Sequence, residues 1–360
     1  MINQRIYGYD IARALAVFGM VIVNFKTVMH TNSGNDAWWL SIFNLLDGRA
    51  SAVFVILAGV GITLLTQSAR LSGNQMQLQQ EKRALLKRAV FLFAIGLLYI
   101  EIWPADILHY YGIYIAIGAL LLAASTRQLL WVAGGIAAGF LIIFFILDYT
   151  TSWNWATLNY ADLWSLKGFF RNLLFNGFHP VFPWAAFLIV GMALGRLPMN
   201  NASIRKRVFL SGLIATLLIE TFAFCLRVAL TNKGYAPELI NYLFSTTPMP
   251  PLPLYFLSAI GSSCAVIALS VQVGEKHHDS LWLRPLIYVG QLSLTLYVAH
   301  VVVGMGLLEA LGLLANQSLL VSVGSALIFC VVAIIFAYYW RIRFKLGPLE
   351  WLMRKATFSS

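Results

Sequence analysis

Residues 317–340 read QSLLVSVGSALIFCVVAIIFAYYW, 24 positions without one charged side chain. As a helix rising about 1.5 Å per residue, such a run covers the ~30 Å hydrocarbon core of a bilayer. In lipid every backbone N–H and C=O has to be satisfied within the segment, so the run is read as a transmembrane helix. It has company. Apolar stretches of comparable length predict helical spans at about 9–28, 50–68, 85–103, 107–125, 129–147, 181–197, 207–229, 253–273, 285–306 and 317–340. Of the 360 residues 60% are apolar and 11% charged, whereas an ordinary soluble domain is about a quarter charged. The expected fold is all-α, a polytopic membrane bundle of about ten transmembrane helices. It forms a single domain over residues 1–360, because no polar stretch is long enough for a core of its own. The first apolar stretch is too long for a signal peptide and no small-residue cleavage site follows it, so an uncleaved helix is expected there.

The charges orient the bundle. Arg70, Lys82, Arg83, Lys87 and Arg88 follow span two, Arg127 follows span four, and Arg196, Arg205, Lys206 and Arg207 follow span six. The tail adds Arg341, Arg343, Lys345, Arg354 and Lys355. Connections of the other parity hold most of the acids: Asp36, Asp47, Glu101, Asp106, Asp148, Asp162, Glu238 and Glu309. Cytoplasmic loops carry the Lys/Arg excess, so both termini are expected in the cytoplasm. The net charge of +11 therefore reflects topology and implies no nucleic-acid partner. Basic inner loops attract anionic membrane lipids or an anionic nucleotide cofactor.

The external segment 148–180 is rich in tryptophan and phenylalanine. It is expected to be partly helical and to lie in the interface, either as a plain connector or as the roof of a cavity. Gly135 and Gly139 offer span five a close neighbour, and Gly59 and Gly61 do the same for span two, with span one as the expected partner. Pro104, Pro183, Pro253 and Pro285 sit near span ends, where proline is tolerated. Cys225, Cys264 and Cys330 have no metal-type spacing and read as buried, inert thiols. No internal repeat is visible.

Ionisable groups inside spans face the protein interior or a wet cavity, which makes each a functional candidate. Asp10 and Arg13 lie three apart on one helix face, where an ion pair that only caps the span is the bland alternative. Asn24 is eleven residues on, close to three turns, so it shares their stripe. His30 continues that stripe at the outer end. By the same topology His109, His179 and His300 fall in the outer half of the membrane, whereas His277 and His278 are cytoplasmic. None of the histidines has ligand spacing such as HxxxH, so no metal is expected. Asp47 and Arg49 precede span two, where a snorkelling arginine is the alternative. No glycine-rich phosphate loop, nucleophile elbow or HExxH motif occurs.

Five patches carry a resemblance. YDIARALAVFGMVIVNF with the later GRASAVFVILAGVGITL resembles the opening of the transmembrane acyltransferases around heparan-α-glucosaminide N-acetyltransferase. FPWAAFLIVGMALGRL at 182–197 resembles that family's proline-tryptophan helix. SLTLYVAHVVVG and FKLGPLEWLMRKAT resemble the C-terminal half of the YeiB-like bacterial membrane proteins. The resemblance implies a multi-helix acyltransferase of a bacterial inner (plasma) membrane. It would carry an acetyl group from cytoplasmic acetyl-CoA to the amine or hydroxyl of an external sugar or glycan.

Under that resemblance Asp10, Arg13 and Asn24 match the first-helix pattern, and His30 stands for the histidine between the first two spans. The loop to His30 is shorter than in the lysosomal enzyme, so this equivalence is positional. In the wider acyltransferase group a histidine occupies the Asn24 slot, and asparagine cannot act as a base. The expected roles follow. His30 is general base or transient acetyl acceptor, and Asn24 orients the imidazole or donates to the oxyanion. Arg13 and Arg49 draw the phosphates of acetyl-CoA, Asp10 holds Arg13, and His179 and His300 are substitute bases. Trp153, Trp155 and Trp164 are candidates for stacking on a sugar, with membrane anchoring an equal account of them. Partners are the sugar or glycan acceptor, membrane lipids and a second copy in a homo-oligomer. Two other classes stay open: a small-molecule permease, favoured by Glu220 and Arg227 in span seven, and a non-catalytic membrane protein.

Overall fold

The computed structural model describes residues 5–31, 37–155, 157–277 and 280–357; Asp36 and His278 of the charge pattern above lie outside the described residues. The chain groups into two compact units. One is Met1–Phe54, Met199–Ile214 and Gly261–Arg354, and the other is Val55–Pro198, Ala215–Ile260 and Lys355–Ser360.

Helices dominate, as the apolar runs require. They begin with α1 (Tyr7–Met29), α2 (Ala37–Asn44), α3 (Arg49–Leu65), α4 (Gln67–Leu71), α5 (Gln75–Tyr99), α6 (Leu108–Leu120) and α7 (Thr126–Ile146). A two-residue hairpin, β1 (Trp153–Asn154) with β2 (Asn159–Tyr160), precedes α8 (Leu166–Arg171), a π-turn at Asn172–Asn176 and α9 (Val181–Leu194). Then come α10 (Ala202–Asn232), α11 (Pro237–Phe244), α12 (Pro253–His277), α13 (Arg284–Gln291) and α14 (Ser293–Ala299). A second π-turn, His300–Met305, leads into α15 (Gly306–Ala310), α16 (Leu319–Arg343) and α17 (Pro348–Thr357).

Local chemistry sets many of these boundaries. Asn74, Ser165 and Ser318 cap α5, α8 and α16 through their side chains, and Ser125 forms a reciprocal capping box with Gln128 at α7. Prolines open α11, α12 and α13, where a missing N–H costs no helical bond. Pro183 pushes Phe182 out of the helical region, to φ −95° and ψ 118°.

Among the described residues seven helical segments are long and apolar enough to cross a membrane. Segments Leu166–Asn176 and Val181–Leu194, bent by 45°, make an eighth if counted as one. The chain is thus a multi-pass membrane protein. These eight match eight of the ten expected spans. The other two are α5 and α6, and the difference has a cause. Lys82, Arg83, Lys87 and Arg88 occupy the middle of α5, which shortens its apolar part. With 13 residues, α6 rises only about 20 Å. The two pack as an antiparallel hairpin, in which a Cβ at Gly96 would lie 2.3 Å from His109 N and one at Gly112 2.6 Å from Ala89 O.

Close backbone approaches hold each unit. In the first, a Cβ on Gly8 would fall 2.2 Å from Val271 Cα, and one on Gly290 1.8 Å from Asp10 O. In the second, a Cβ on Gly59 would lie 1.9 Å from Leu188 O and one on Gly191 2.0 Å from Ile56 O, which seats α3 on α9. Two glycine expectations are corrected here. Gly59 packs against the sixth expected span rather than the first, and Gly135 and Gly61 have open space around them. The thiol expectation also changes, because Cys225 is exposed on α10, while Cys264 is half-buried and Cys330 buried.

Candidate functional site

The first unit holds three polar pairs along α1. In its first turn Asp10 is buried and accepts from Arg5 Nε at 2.9 Å and Nη2 at 3.1 Å. Arg13 Nη1 donates to the same carboxylate at 3.2 Å and to Gly290 O at 3.4 Å. The intrahelical pair is therefore real, and Arg5 and α13 complete it.

Higher on the helix, Asn24 Nδ2 lies 2.9 Å from His300 Nε2. His300 is fully buried at the start of the second π-turn, and its Nδ1 donates to the carbonyl of Tyr297. A carbonyl only accepts, so Nδ1 carries the proton and Nε2 offers its lone pair to the asparagine amide. The ring is a neutral imidazole with its basic nitrogen fixed toward α1.

In the last turn of α1 Lys26 is buried, and its ammonium donates to Asn44 Oδ1 at 2.6 Å and to both Asp47 oxygens at 2.7 and 2.9 Å. A lysine inside an apolar run is tolerable here because α2 and the turn after it supply its counter-charge. Arg49 starts α3 and donates to Leu45 O at 3.3 Å on the exposed side.

His30 takes a different place from the one its spacing suggests. The helix ends at Met29, and His30 is its extended cap, at φ −77° and ψ 131°, bridged to Gln317. Six residues are one and two-thirds turns, so His30 also leaves the Asp10–Arg13–Asn24 stripe by about a third of a turn. The imidazole that Asn24 meets is His300. Arg13 and Arg49 do not converge either. Arg49 lies two residues beyond Asp47, the partner of Lys26, and Lys26 is 13 residues above Arg13, about 20 Å of helix.

The second unit has its own polar cluster. Asp106 and His109 are buried, with Oδ2 accepting from His109 Nδ1 at 2.9 Å and from its backbone N–H at 3.2 Å. Tyr99 donates its hydroxyl to Oδ1 at 2.5 Å. An acid three positions before a histidine at a helix start is the signal the sequence carries for this pair. His179 sits edge-on to Trp184 with ring centroids 4.5 Å apart, and its carbonyl accepts from the Tyr114 hydroxyl. Glu220 accepts from Thr246 at 2.8 Å and Ser258 at 2.6 Å, while Arg227 donates to Phe244 O at 3.0 Å. Each of this pair thus has its own local anchor.

The segment 148–180 forms a braced loop over a cavity of about 550 Å³. Lining it are Glu101, Trp153, Asn159, Tyr160, Asp162 and Trp164. Arg171 braces the wall by donating to Tyr160 at 2.6 Å and to Ser152 and Asp162 at 2.5 Å. Asn176 takes the Tyr160 hydroxyl at 2.8 Å and donates to the carbonyls of Tyr149 and Thr151. Ser152 and Leu158 adopt positive φ, 69° and 53°, a strain the bracing sustains. The described residues include no group of three or more acidic, histidine or cysteine side chains able to hold a metal ion.

Comparison with known proteins places the chain. The family model described as "Heparan-alpha-glucosaminide N-acetyltransferase, catalytic" matches residues 5–231. The one described as "Protein of unknown function (DUF418)" matches residues 190–360. The chain is 21% identical to the uncharacterised protein YxaH of Bacillus subtilis (strain 168), over 99% of this chain and 95% of the relative.

Proposed function

Because the chain belongs to the heparan-alpha-glucosaminide N-acetyltransferase catalytic family, we propose that it is a membrane acetyltransferase. It takes an acetyl group from cytoplasmic acetyl-CoA and passes it to the amine or hydroxyl of an external sugar, in a bacterial inner membrane. The observation that carries this reading is the Asn24–His300 pair. One partner lies in the region matched by the acetyltransferase model and the other in the region matched by the second model.

The donor supplies an activated acyl thioester, and its phosphates are anions. Arg5, 58% exposed at the side chain, and Arg13, 27% exposed, are the cations at the inner end of α1 that suit them. His300 is the base: Nε2 takes the proton of the attacking amine or hydroxyl, and Tyr297 O holds the imidazolium that results. Asn24 Nδ2, released from Nε2, donates to the developing oxyanion. The new C–N or C–O bond forms as C–S breaks, and His300 returns the proton to the departing thiolate.

The test is transfer of label from acetyl-labelled CoA to a panel of amino sugars, with wild type beside His300→Ala and His30→Ala. Loss in His300→Ala with His30→Ala active supports the assignment, and the reverse returns the base to His30. No transfer by any protein, with no thermal stabilisation by acetyl-CoA, rejects the reading.

A further inference from the structure

The C-terminal run FKLGPLEWLMRKAT takes no part in the site described so far, yet it grips the arm that bears His300. Its α17 brings Glu350 to the start of α14. One carboxylate oxygen accepts the backbone N–H groups of Leu294 and Thr295 at 2.8 and 3.1 Å. The other accepts the Thr295 hydroxyl at 2.5 Å. Thr295 Oγ1 in turn takes the N–H of Leu349 at 3.1 Å, so each segment donates to the other.

The clasp is close-built. A Cβ on Gly347 would lie 2.1 Å from Glu350 Oε2 and 2.8 Å from Thr295 Oγ1, so a side chain before Pro348 would push the carboxylate out of the clasp. Trp340 Nε1 donates to Leu346 O at 2.9 Å and fixes the turn from α16. Leu294 and Thr295 are first-turn residues, whose N–H groups have no partner within the helix. Without the carboxylate they would need another acceptor.

From Thr295 to His300 is five residues, about 7.5 Å of helix and just under one and a half turns. That stretch carries Tyr297, which accepts from His300 Nδ1 and stacks with Phe54 at a centroid distance of 6.4 Å. Nothing flexible separates the clasp from the imidazole. The height and rotation of α14, and with them the direction of Nε2, are set at Glu350.

We propose that Glu350 is a positioning residue for His300, holding α14 so that the imidazole meets Asn24. The proposal rests on reading Asn24–His300 as the reacting pair, but its first test does not. With ¹⁵N-labelled histidine in nanodiscs, Glu350→Ala should move the His300 ring resonances and leave those of His277 in place. Glu350→Gln, which keeps one acceptor, should move them less. Should Glu350→Ala fail to fold, Thr295→Val removes one hydroxyl and should give a smaller shift in the same sense. Unmoved His300 resonances in the folded variants overturn the proposal, whatever the activity.

In the transfer assay Glu350→Ala should lower kcat about tenfold or more with KM for acetyl-CoA within about twofold, because the base is displaced while the phosphate end is untouched. A raised KM with unchanged kcat overturns it. If wild type transfers nothing, the acetyltransferase reading fails, while the spectra still decide the role of Glu350.

Discussion

The amide of Asn24 meets Nε2 of His300 at 2.9 Å, joining residues 276 positions apart in the chain. A neutral imidazole held from both sides, by a carbonyl at Nδ1 and an amide at Nε2, is preorganised. Positioned bases of this kind contribute about 10²–10⁴-fold to proton-transfer steps. His300→Ala is expected to lower acetyl transfer by at least about 10²-fold, measured as initial rate with labelled acetyl-CoA. Asn24→Ala, which loses the oxyanion donor, should lose a comparable factor of about 10²-fold. Rates within twofold of wild type in both would remove this pair from the chemistry.

Lys26 is buried with Asn44 and Asp47 as its partners. Lys26→Met strands a carboxylate that is itself 30% exposed, so water recovers part of the loss. Destabilisation of about 1–3 kcal/mol is expected, read as a lower melting temperature in detergent. Adding Asp47→Asn should restore part of it, since the double variant leaves no unpaired charge.

Asp106 is fully buried and accepts three hydrogen bonds, from Tyr99, His109 Nδ1 and His109 N. Asp106→Ala leaves those donors unmatched in an apolar surrounding, at a cost of about 3–5 kcal/mol. Thermal melts of Asp106→Ala, His109→Ala and the double variant should be strongly non-additive. Simple additivity would mean that the two side chains do not act as a unit.

In the 148–180 loop, hydrogen bonds from the Ser152 hydroxyl and then the Arg171 guanidinium hold the Asp162 carboxyl below the usual carboxylate range. A depressed folded value contributes stability that is full above the unfolded value of about 4 and is lost as pH falls through the folded one. Fluorescence of Trp153 and Trp164 should therefore report loosening of the loop below about pH 4. Asp162→Asn should flatten that transition. An identical acid profile in the variant would place the sensitive group elsewhere.

At the α3–α9 contact, Gly191 has no room for a methyl group, with Ile56 O 2.0 Å from where its Cβ would stand. Gly191→Ala has to part the two helices, at a cost of about 1–3 kcal/mol or more. Gly135→Ala, in open space on α7, should leave the melting temperature unchanged or slightly raised. Equal effects of the two would contradict the close approach.

Sequence alone determined the all-α membrane bundle, because lipid leaves a long apolar run no other way to satisfy its backbone. It also determined the family, through the patches around Asp10, Arg13 and Asn24 that the acetyltransferase model matches. Periodicity aligned Asp10 with Arg13, since both lie on one helix and helical geometry is local. What faces Asn24 was beyond that reach. His30 stood six residues away, but a helix that ends at Met29 turns it to Gln317, and α14 brings in His300 instead. Tertiary packing likewise gave Lys26 its counter-ion, tied Asp106 to Tyr99, and set Glu350 against the helix that carries His300. Helix spacing repeats every 3.6 residues and can be read along one strand of text. Contacts between helices depend on which small residues let backbones approach, as at Gly290 on Asp10, and that only the folded chain decides.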